Sequence, residues 1–435
     1  CHESGLHPYV SREPSNYPMK ILEGGRRNIV ILGAGFGGIT ALLTLYRRLR
    51  RQRLLGRYRL ILVNKSAQHL YTPALYEIAS IPRGEASAIC LKSAICIHIE
   101  DIISRYPGIR FLGEEVAALN PQARAITFRS GEGISFDYAL VALGSETNFF
   151  NIPGLKEQAY PIKTFEDAVR LRNRAQELLT PSTRTLRVLI GGAGATGVEL
   201  SAEFVNFLRQ EKARLGARAC REEILLLEAS PEILPGFGND IVHTARARLR
   251  KLGVKVKTGA AVTEVTLAKV LLRDGASLPY DLLVWAGGVK PVEVVKSFGL
   301  ALDARGGVIT NAFLEAKPGI YAIGDCASFG DPNTGTPLPR NVPVAEAEAR
   351  VAAKNILAAI TDSRKQPFRP LRSYPFILAV GGKYALTDLV ILKLFGFLGW
   401  MAKQLVELRY LLFILPPVKA IRMWLRGMYY STRND

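Results

Sequence analysis

Apolar and polar positions follow the same order in two places along the chain. The first apolar run, 28–32, is followed by the glycine-rich segment 33–38 and then by apolar positions at helical spacing. The second run, 188–190, leads in the same way into the glycine-rich segment 192–197 and another helical pattern. Each segment therefore predicts a strand, a tight turn and a helix.

This order of elements is typical of dinucleotide binding. The glycines permit a tight turn and let the backbone approach a pyrophosphate at the helix N-terminus. Two such segments in one chain indicate two dinucleotides, a bound flavin (FAD) and the nicotinamide (NADH) that reduces it. The residues predicted to hold FAD are Gly33, Gly35, Phe36, Gly37, Gly38, Asn64, Lys65, Gly144, Gly324 and Asp325. Those predicted to hold NADH are Gly192, Gly194, Thr196, Gly197, Glu228 and Gly287.

The remaining pattern predicts an α/β fold with two Rossmann-like domains, the second inserted in the first. A buried strand at 136–143 ends at a glycine, and the segment 281–291 repeats this pattern and returns the chain to the first domain. The stretch from the second strand to about residue 129 reads as strand-rich. We assign residues 1–26 as a poorly ordered or non-native N-terminal extension, 27–155 with 281–385 as the FAD-binding domain, 156–280 as the NADH-binding domain, and 386–435 as an amphipathic, membrane-associating segment.

The two ends of the chain differ from its middle. Residues 1–18 precede Met19, which we expect to be the true start; a processed lipoprotein end at Cys1 is the alternative. Near the other end, no apolar run reaches the roughly 20 uncharged residues of a spanning helix. Cations beside aromatic residues suit helices in a lipid interface, whereas a core helix or a dimer interface is the alternative. These residues are Lys393, Lys403, Lys419, Arg422 and Arg426 with Phe397, Trp400 and Trp424.

Composition adds a strong positive charge. The 435 residues have a formal net charge of +19, which favours an anionic partner such as a membrane surface or an anionic cofactor, with a solvated basic surface as the alternative. No nucleic-acid signature accompanies it, so nucleic acid is not expected as a partner. The five cysteines form no CxxC pair, which fits a reducing compartment. Cys90 and Cys96 read as ordinary thiols, and no metal site is predicted.

Polar residues at strand ends supply the candidate chemistry. Asn64 stands where an acid normally binds the ribose, and Asp325 ends an apolar strand, where it suits a flavin ribityl contact or an isolated turn. Glu228 follows the strand that comes after the second glycine-rich segment, and a carboxylate there favours NADH over NADPH. Glu199 lies early in the helix after the second glycine-rich segment. It is either an acid that complements the helix dipole or a residue that lies beside the nicotinamide and the flavin.

Taken together, these motifs resemble those of the type II NADH dehydrogenases, which are non-pumping, FAD-dependent NADH:quinone oxidoreductases. The resemblance spans about residues 27–430. It rests on the FAD fingerprint with 71–77, 143–145, 152–154, 164–168, 197–199, 285–291 and 322–325. It implies hydride transfer from NADH to flavin N5 and electron delivery to a membrane menaquinone or ubiquinone, with Glu199 as the catalytic glutamate. It also implies peripheral attachment to a membrane, for which the net charge favours an anionic bilayer, and leaves a homodimer open. The lack of a transit-like segment after Met19 suits the cytoplasmic face of a bacterial membrane.

One segment departs from the family. The family has glutamines that line its quinone tunnel, and here Val342, Pro343 and Ala347 take those places. These three residues are the predicted quinone contacts. The departure keeps two alternatives open: an NADH-dependent flavoprotein reductase with a non-quinone acceptor, and a non-enzymatic, flavin-bound redox sensor at the membrane. A sulfide:quinone oxidoreductase is disfavoured because no partner for Cys326 is visible.

Overall fold

A computed structural model describes residues 25–179, 185–215, 221–332 and 335–432. Within these ranges the chain packs as two compact units. The first unit contains residues 25–67, 106–144 and 291–368, and the second contains 68–105, 145–290 and 369–432. The prediction for the N-terminal extension falls almost entirely on residues that lie outside the described ranges.

The first unit is built on a six-stranded sheet. From edge to edge its strands are Glu315–Lys317, Ile320–Ala322, Tyr138–Val141, Arg27–Leu32, Tyr58–Val63 and Arg110–Leu112. All neighbours are parallel except the first pair. The inner strands are mostly apolar because both sheet faces are covered.

Two long helices of the first unit, Phe36–Arg51 and Val342–Ile360, pack against each other. The first unit also contains a three-stranded antiparallel sheet, a short parallel pair of strands and two 3₁₀ helices. The antiparallel sheet consists of Val116–Asn120, Ala125–Phe128 and Gly133–Ser135. The parallel pair is Val308–Ile309 with Ala327–Ser328, and the 3₁₀ helices are Glu293–Phe298 and Gly324–Cys326.

The second unit repeats the parallel-sheet plan. Its five parallel strands, in spatial order, are Tyr160–Pro161, Leu282–Trp285, Thr185–Gly191, Arg221–Leu227 and Lys255–Lys257. The helices that cover this sheet are Phe165–Leu178, Ala195–Leu215 and Asn239–Leu252. The first of these helices begins at a capping box made by Thr164 and Asp167.

Smaller elements complete the second unit. The helices are Leu75–Ile78, Ala88–Ile95, Ile99–Ile103, Leu155–Gln158, Phe397–Ile414 and Pro417–Ser431, with a 3₁₀ turn at Thr72–Ala74. Paired strands are Gln68–Leu70 with Cys96–His98, and Ser145–Thr147 with Val289–Pro291. Two antiparallel sheets contain Val262–Val265, Lys269–Leu272 and Ser277–Pro279, and Phe376–Ala379, Ala385–Asp388 and Lys393–Gly396.

The structure confirms the α/β class and corrects details of the prediction. The stretch 65–129 is not mainly strand, because short helices such as Ala88–Ile95 occupy its first half; runs this short lack the two or three turns that make helical periodicity visible. Residues 68–105, 145–155, 281–290 and 369–385 pack with the second unit, although the sequence assigned them to the FAD domain. Packing does not assign a cofactor, so the division by cofactor stays a prediction.

The C-terminal residues form two helices joined by a short turn at Leu415 and Pro416. Among the described residues, no helix combines the length and the apolar character needed to cross a bilayer.

Candidate functional site

The first glycine-rich turn has a geometry that only glycine permits. Gly33 has a φ of 104°, and a Cβ on it would lie 2.2 Å from the carbonyl oxygen of Ala142. A Cβ on Gly38 would lie 1.9 Å from the carbonyl oxygen of Gly33. The Gly33 N–H donates to the carbonyl of Val63 over 2.8 Å, which joins the turn to the second strand. Close packing of turn, helix and strand therefore excludes a side chain at both glycines.

The second turn repeats this geometry almost atom for atom. Gly192 has a φ of 98°, and a Cβ on it would lie 2.5 Å from the Cα of Gly287. A Cβ on Gly197 would lie 1.9 Å from the carbonyl oxygen of Gly192, and the Gly192 N–H donates to Leu227 over 2.8 Å. The duplication inferred from the sequence thus extends to the turn, its helix and the neighbouring strands.

The middle glycines of both turns face open space. A Cβ on Gly35 or on Gly194 would meet no described atom within 4 Å, so packing does not explain either glycine. Each lies at a helix N-terminus, where free N–H groups and the helix dipole favour an anion. The space that a Cβ would fill is therefore the place for a pyrophosphate, and both turns fit a dinucleotide.

The side chain at the end of the second strand makes the same contact in both units. Asn64 Oδ1 accepts a hydrogen bond from the N–H of Ala34 over 3.0 Å. Glu228 Oε2 accepts one from the N–H of Ala193 over 2.8 Å, and its Oε1 accepts one from Ser230 over 2.8 Å. Each accepting oxygen keeps a second lone pair for a ribose hydroxyl. Asn64 therefore closes its turn as the glutamate does, but without charge.

The other predicted nucleotide contacts differ in exposure. Phe36 and Gly37 are buried at the start of the first helix, whereas Lys65 and Thr196 are exposed. Gly144 follows a sheet strand with a φ of 74°. These positions agree with roles at a turn, and the contacts with a cofactor stay predictions.

Gly324 and Asp325 begin a 3₁₀ turn directly after the strand Ile320–Ala322. The Gly324 N–H donates to Glu348 Oε2 over 2.6 Å. Burial raises the pKa of Glu348 to about 8, the nearby Asp325 carboxylate adds to the rise, and the Gly324 N–H opposes it. Sequence analysis assigned no role to Glu348 and missed this contact. Burial also raises the pKa of the neighbouring Cys326 thiol to about 12, so it is a poor nucleophile.

The three predicted quinone contacts lie near one helix start. Val342 and Pro343 form the first turn of the helix that Asn341 caps through a 3.0 Å bond to the Val344 N–H. Ala347 follows Pro343 by one helical turn, and all three side chains are half-buried. They give this helix a partly exposed apolar face without a hydrogen-bonding group.

Glu199 belongs to a buried group of charges in the second unit. Its Oε1 accepts a hydrogen bond from the Ala379 N–H over 3.2 Å. Burial raises the pKa of Glu199 to about 8, although this hydrogen bond and Lys403 both oppose the rise. Glu203, one helical turn further on, accepts a bond from the Gly382 N–H over 3.1 Å. The carboxyl of Glu199 is thus held in its neutral form near neutral pH.

Lys403 supplies the positive charge of this group, although the sequence predicts it at a lipid interface. It was grouped with lipid-facing cations, but its side chain is only 13% exposed and forms an ion pair with Glu77. Burial alone would lower the pKa of Lys403, but Glu77 and Glu407 raise it above the usual lysine value. Burial raises the pKa of Glu407 to about 7. The four-residue spacing of Lys403 and Glu407 places both on one helix face, a signal present in the sequence.

Two polar side chains of the helix Phe397–Ile414 are buried, whereas several of its large apolar side chains are exposed. Gln404 and Glu407 are buried, whereas Leu398, Met401 and Leu405 are exposed. Fourteen of the nineteen exposed large hydrophobic side chains among the described residues lie between 390 and 429. We call these fourteen residues the apolar face. They are Val390, Ile391, Leu392, Phe395, Phe397, Leu398, Met401, Leu405, Val406, Leu412, Val418, Ile421, Leu425 and Tyr429.

Comparison with known proteins agrees with this geometry. The model of the pyridine nucleotide-disulphide oxidoreductase family matches residues 27–349. The demethylphylloquinone reductase NdbB of Synechocystis is 29% identical, over 88% of this chain and 92% of that protein. Proteins named type II NADH:quinone oxidoreductase also match.

Two further matches cover different shares of this chain and of the matched protein. An external alternative NAD(P)H-ubiquinone oxidoreductase B2 of Arabidopsis thaliana is 28% identical over 70% of this chain, which spans only 55% of that protein. The structure of NDH2 from Plasmodium falciparum in complex with NADH has a TM-score of 0.76 at 18% identity, covering 93% of this chain and 98% of that one. At this identity the structural match shows the fold alone.

The resemblance to the type II NADH dehydrogenases that the motifs predict is confirmed by these relatives. With the family model covering most of its length, the chain belongs to the pyridine nucleotide-disulphide oxidoreductase family.

Proposed function

We propose that this protein is an FAD-dependent NADH:quinone oxidoreductase of the type II class that does not pump protons. The observation that supports it most is the repeated glycine turn, whose middle glycine leaves space for a pyrophosphate in each unit. The relatives named as quinone reductases support the reaction and the two cofactors. We also propose that the second nucleotide domain is inserted in the first.

In this proposal the first unit holds FAD. The turn at Gly33 and Gly35 would bind the pyrophosphate, Asn64 the adenosine ribose, and Asp325 the ribityl chain. When bound, FAD supplies the redox chemistry by taking a hydride from NADH and passing two electrons to the acceptor. Glu348 accepts the Gly324 N–H, so it would position the turn that contains Asp325.

The second unit would hold NADH. Gly192 and Gly194 would bind its pyrophosphate, and Glu228 would accept hydrogen bonds from the adenosine ribose hydroxyls. Both oxygens of Glu228 are fixed by backbone N–H groups. The carboxylate is therefore preorganised, and its charge disfavours the 2′-phosphate of NADPH.

Glu199 is the proposed catalytic carboxyl. Reduction of a quinone to a quinol consumes two protons, so a site for it needs a proton donor. Since the Ala379 N–H occupies Oε1, the proton of the neutral carboxyl resides on Oε2.

The acceptor is proposed as a membrane quinone that the half-buried face of Val342, Pro343 and Ala347 contacts. Without the family's glutamines this face offers apolar contact and no hydrogen bond, so the quinone ring would be bound by packing. A relative that is named demethylphylloquinone reductase supports a quinone as the acceptor.

We further propose peripheral attachment to a membrane at its cytoplasmic face through the apolar face. An exposed surface this rich in Leu, Ile and Phe marks an interaction site, and its flanking cations suit anionic lipid. A homodimer that covers the same surface is the alternative outcome.

Steady-state turnover tests the reaction. The purified yellow protein should oxidise NADH when a short-chain ubiquinone or naphthoquinone is present, and NADPH more slowly. Turnover with ferricyanide but with neither quinone would instead indicate the reductase with another acceptor. Flavin reduction by NADH without turnover on any acceptor would indicate the redox sensor.

A further inference from the structure

A cavity of about 430 Å³ opens on the second unit beside the last helix. One wall is the short helix Ala88–Ile95 with the strand Cys96–His98, and the other is the helix Pro417–Ser431. Its lining includes apolar side chains such as Ile89 and Met423. None of the residues in the predicted nucleotide or quinone sites lines it.

The cavity has a marked excess of positive charge. Lys92, Lys419, Arg422 and Arg426 line it, and Asp101 is the sole carboxylate among the lining residues. Lys419 forms an ion pair with Asp101, and Lys92 lies 3.9 Å from Glu166 at the surface. Arg422 makes no side-chain hydrogen bond or ion pair with any described residue. At least one guanidinium is thus available to an anion.

The helix Pro417–Ser431 sets this charge beside an apolar stripe. Val418, Ile421 and Leu425 share one exposed face, since they are spaced three and four residues apart. Each cation, Lys419, Arg422 and Arg426, follows one of these residues by a single position, which turns it about 100° around the helix. The cations therefore form a second stripe parallel to the first.

We propose that this cavity binds the headgroup of an anionic glycerophospholipid. The phosphodiester would pair with Arg422 and Arg426, since guanidinium binds phosphate oxygens in a bidentate manner. The acyl chains would follow Val418, Ile421 and Leu425, which belong to the apolar face. This site deepens the proposed membrane attachment by assigning it a specific lipid.

An inorganic anion would use only half of these features. Phosphate or a free phosphomonoester would satisfy the arginines but would leave the adjoining apolar stripe in water, at a cost proportional to its area. A diacyl phosphodiester covers both stripes at once, and this is why the proposal commits to a lipid.

The test uses the FAD-loaded, full-length protein and a water-soluble short-chain phosphatidylglycerol, titrated calorimetrically. One saturable site per chain is expected. Arg422→Ala should weaken it by about fivefold or more, whereas Arg305→Ala, an exposed arginine of the first unit, should not. Arg422 is exposed, so its replacement should leave folding and flavin content intact. Short-chain phosphatidylcholine should bind more weakly than phosphatidylglycerol.

Equal binding by both arginine variants would overturn the proposal, and so would inorganic phosphate that binds as tightly as the lipid. Flotation with vesicles separates this site from attachment itself. In about 1 M salt, where the screening length is about 3 Å, diffuse attraction is removed. If the protein binds the short-chain lipid at one site but no longer binds vesicles, the lipid site is supported and the membrane attachment is contradicted. If it binds vesicles but shows no saturable site for the short-chain lipid, the attachment is supported and the lipid site is contradicted.

Discussion

The two side chains that close the glycine turns differ by one charge. Asn64 and Glu228 both accept a backbone N–H from the residue after the first glycine. An amide suffices for that bond, so the turn alone does not require a carboxylate at Glu228. The charge is therefore available for cofactor selection.

Glu228→Gln removes that charge while its amide oxygen can still accept from Ala193, although the amide nitrogen cannot accept from the Ser230 N–H. Loss of the negative charge removes repulsion of a 2′-phosphate, and we expect the preference for NADH over NADPH, measured as the ratio of kcat/KM values, to fall by about tenfold. Asn64→Gln, a change in the other turn, serves as a control for general disturbance. An unchanged preference in Glu228→Gln would place the selectivity elsewhere.

Glu348 predicts a pH dependence of stability. Its pKa rises from 4.5 to about 8 on folding, so the folded protein binds a proton that the unfolded chain releases between these values. The stability that this proton contributes is complete below about pH 4.5 and is lost as the pH rises through 8. Its contribution falls by on the order of 1 kcal/mol per pH unit in this window.

Glu348→Gln keeps an acceptor for the Gly324 N–H and removes the titration. Thermal unfolding across this pH window should therefore show a shallower decline in Tm for the variant than for the parent, with flavin absorbance to confirm that FAD is retained. Parallel declines in the two proteins would refute the account of this carboxyl.

At the scale of elements, the helix Phe397–Ile414 is held by polar contacts on its inner side. Lys403 forms an ion pair with Glu77, and the Tyr410 hydroxyl lies 2.9 Å from the Nε2 atom of His69. The Trp424 indole N–H donates to the Gln404 carbonyl over 2.9 Å, which ties the last two helices together. These contacts orient the helix so that Leu398, Met401 and Leu405 remain exposed.

Lys403→Met should destabilise the second unit strongly, because it leaves the buried Glu77 carboxylate without its cation. Removal of one partner from a buried pair costs about 3–5 kcal/mol, and thermal or denaturant unfolding should show it. The double variant Lys403→Met with Glu77→Gln should recover most of the loss. If the single variant unfolds like the parent, the pair does not hold this helix.

The outward leucines give a separate prediction for membrane attachment. Replacement of Leu398, Met401 and Leu405 by serine should abolish flotation with anionic vesicles while Tm and FAD content stay unchanged, since all three side chains are already exposed. Leu267→Ser is the control, because Leu267 is 84% exposed in a hairpin of the same unit. Continued flotation of the triple variant would contradict lipid docking, and a change from dimer to monomer would indicate a subunit interface.

At the scale of the whole molecule, local signals predicted the repeated parts well. Each nucleotide turn is encoded within a few residues by apolar runs and glycines such as Gly33 and Gly192, so the α/β class, both turns and the helix after each turn were predicted from the sequence. The contacts of Lys403 with Glu77 and of Glu348 with Gly324 did not follow. They join residues far apart in the chain, and no local periodicity specifies which buried charge meets which partner.

The sequence also failed to predict that residues 68–105 pack with the second unit, for a similar reason. Short helices such as Leu75–Ile78 have weak local signals, and their place is decided by packing against distant segments. The same packing places Glu77 in the buried charge group. Long-range packing, more than composition, therefore determines the candidate proton site.

Anaerobic stopped-flow on the purified protein tests the central claim most directly. NADH is mixed first while flavin absorbance is followed, and a short-chain ubiquinone or menaquinone is added second. The account predicts rapid bleaching by NADH and rapid recovery on addition of quinone. Bleaching that no quinone reverses would contradict the quinone reductase, and Val342, Pro343 and Ala347 would then mark a site for a different acceptor.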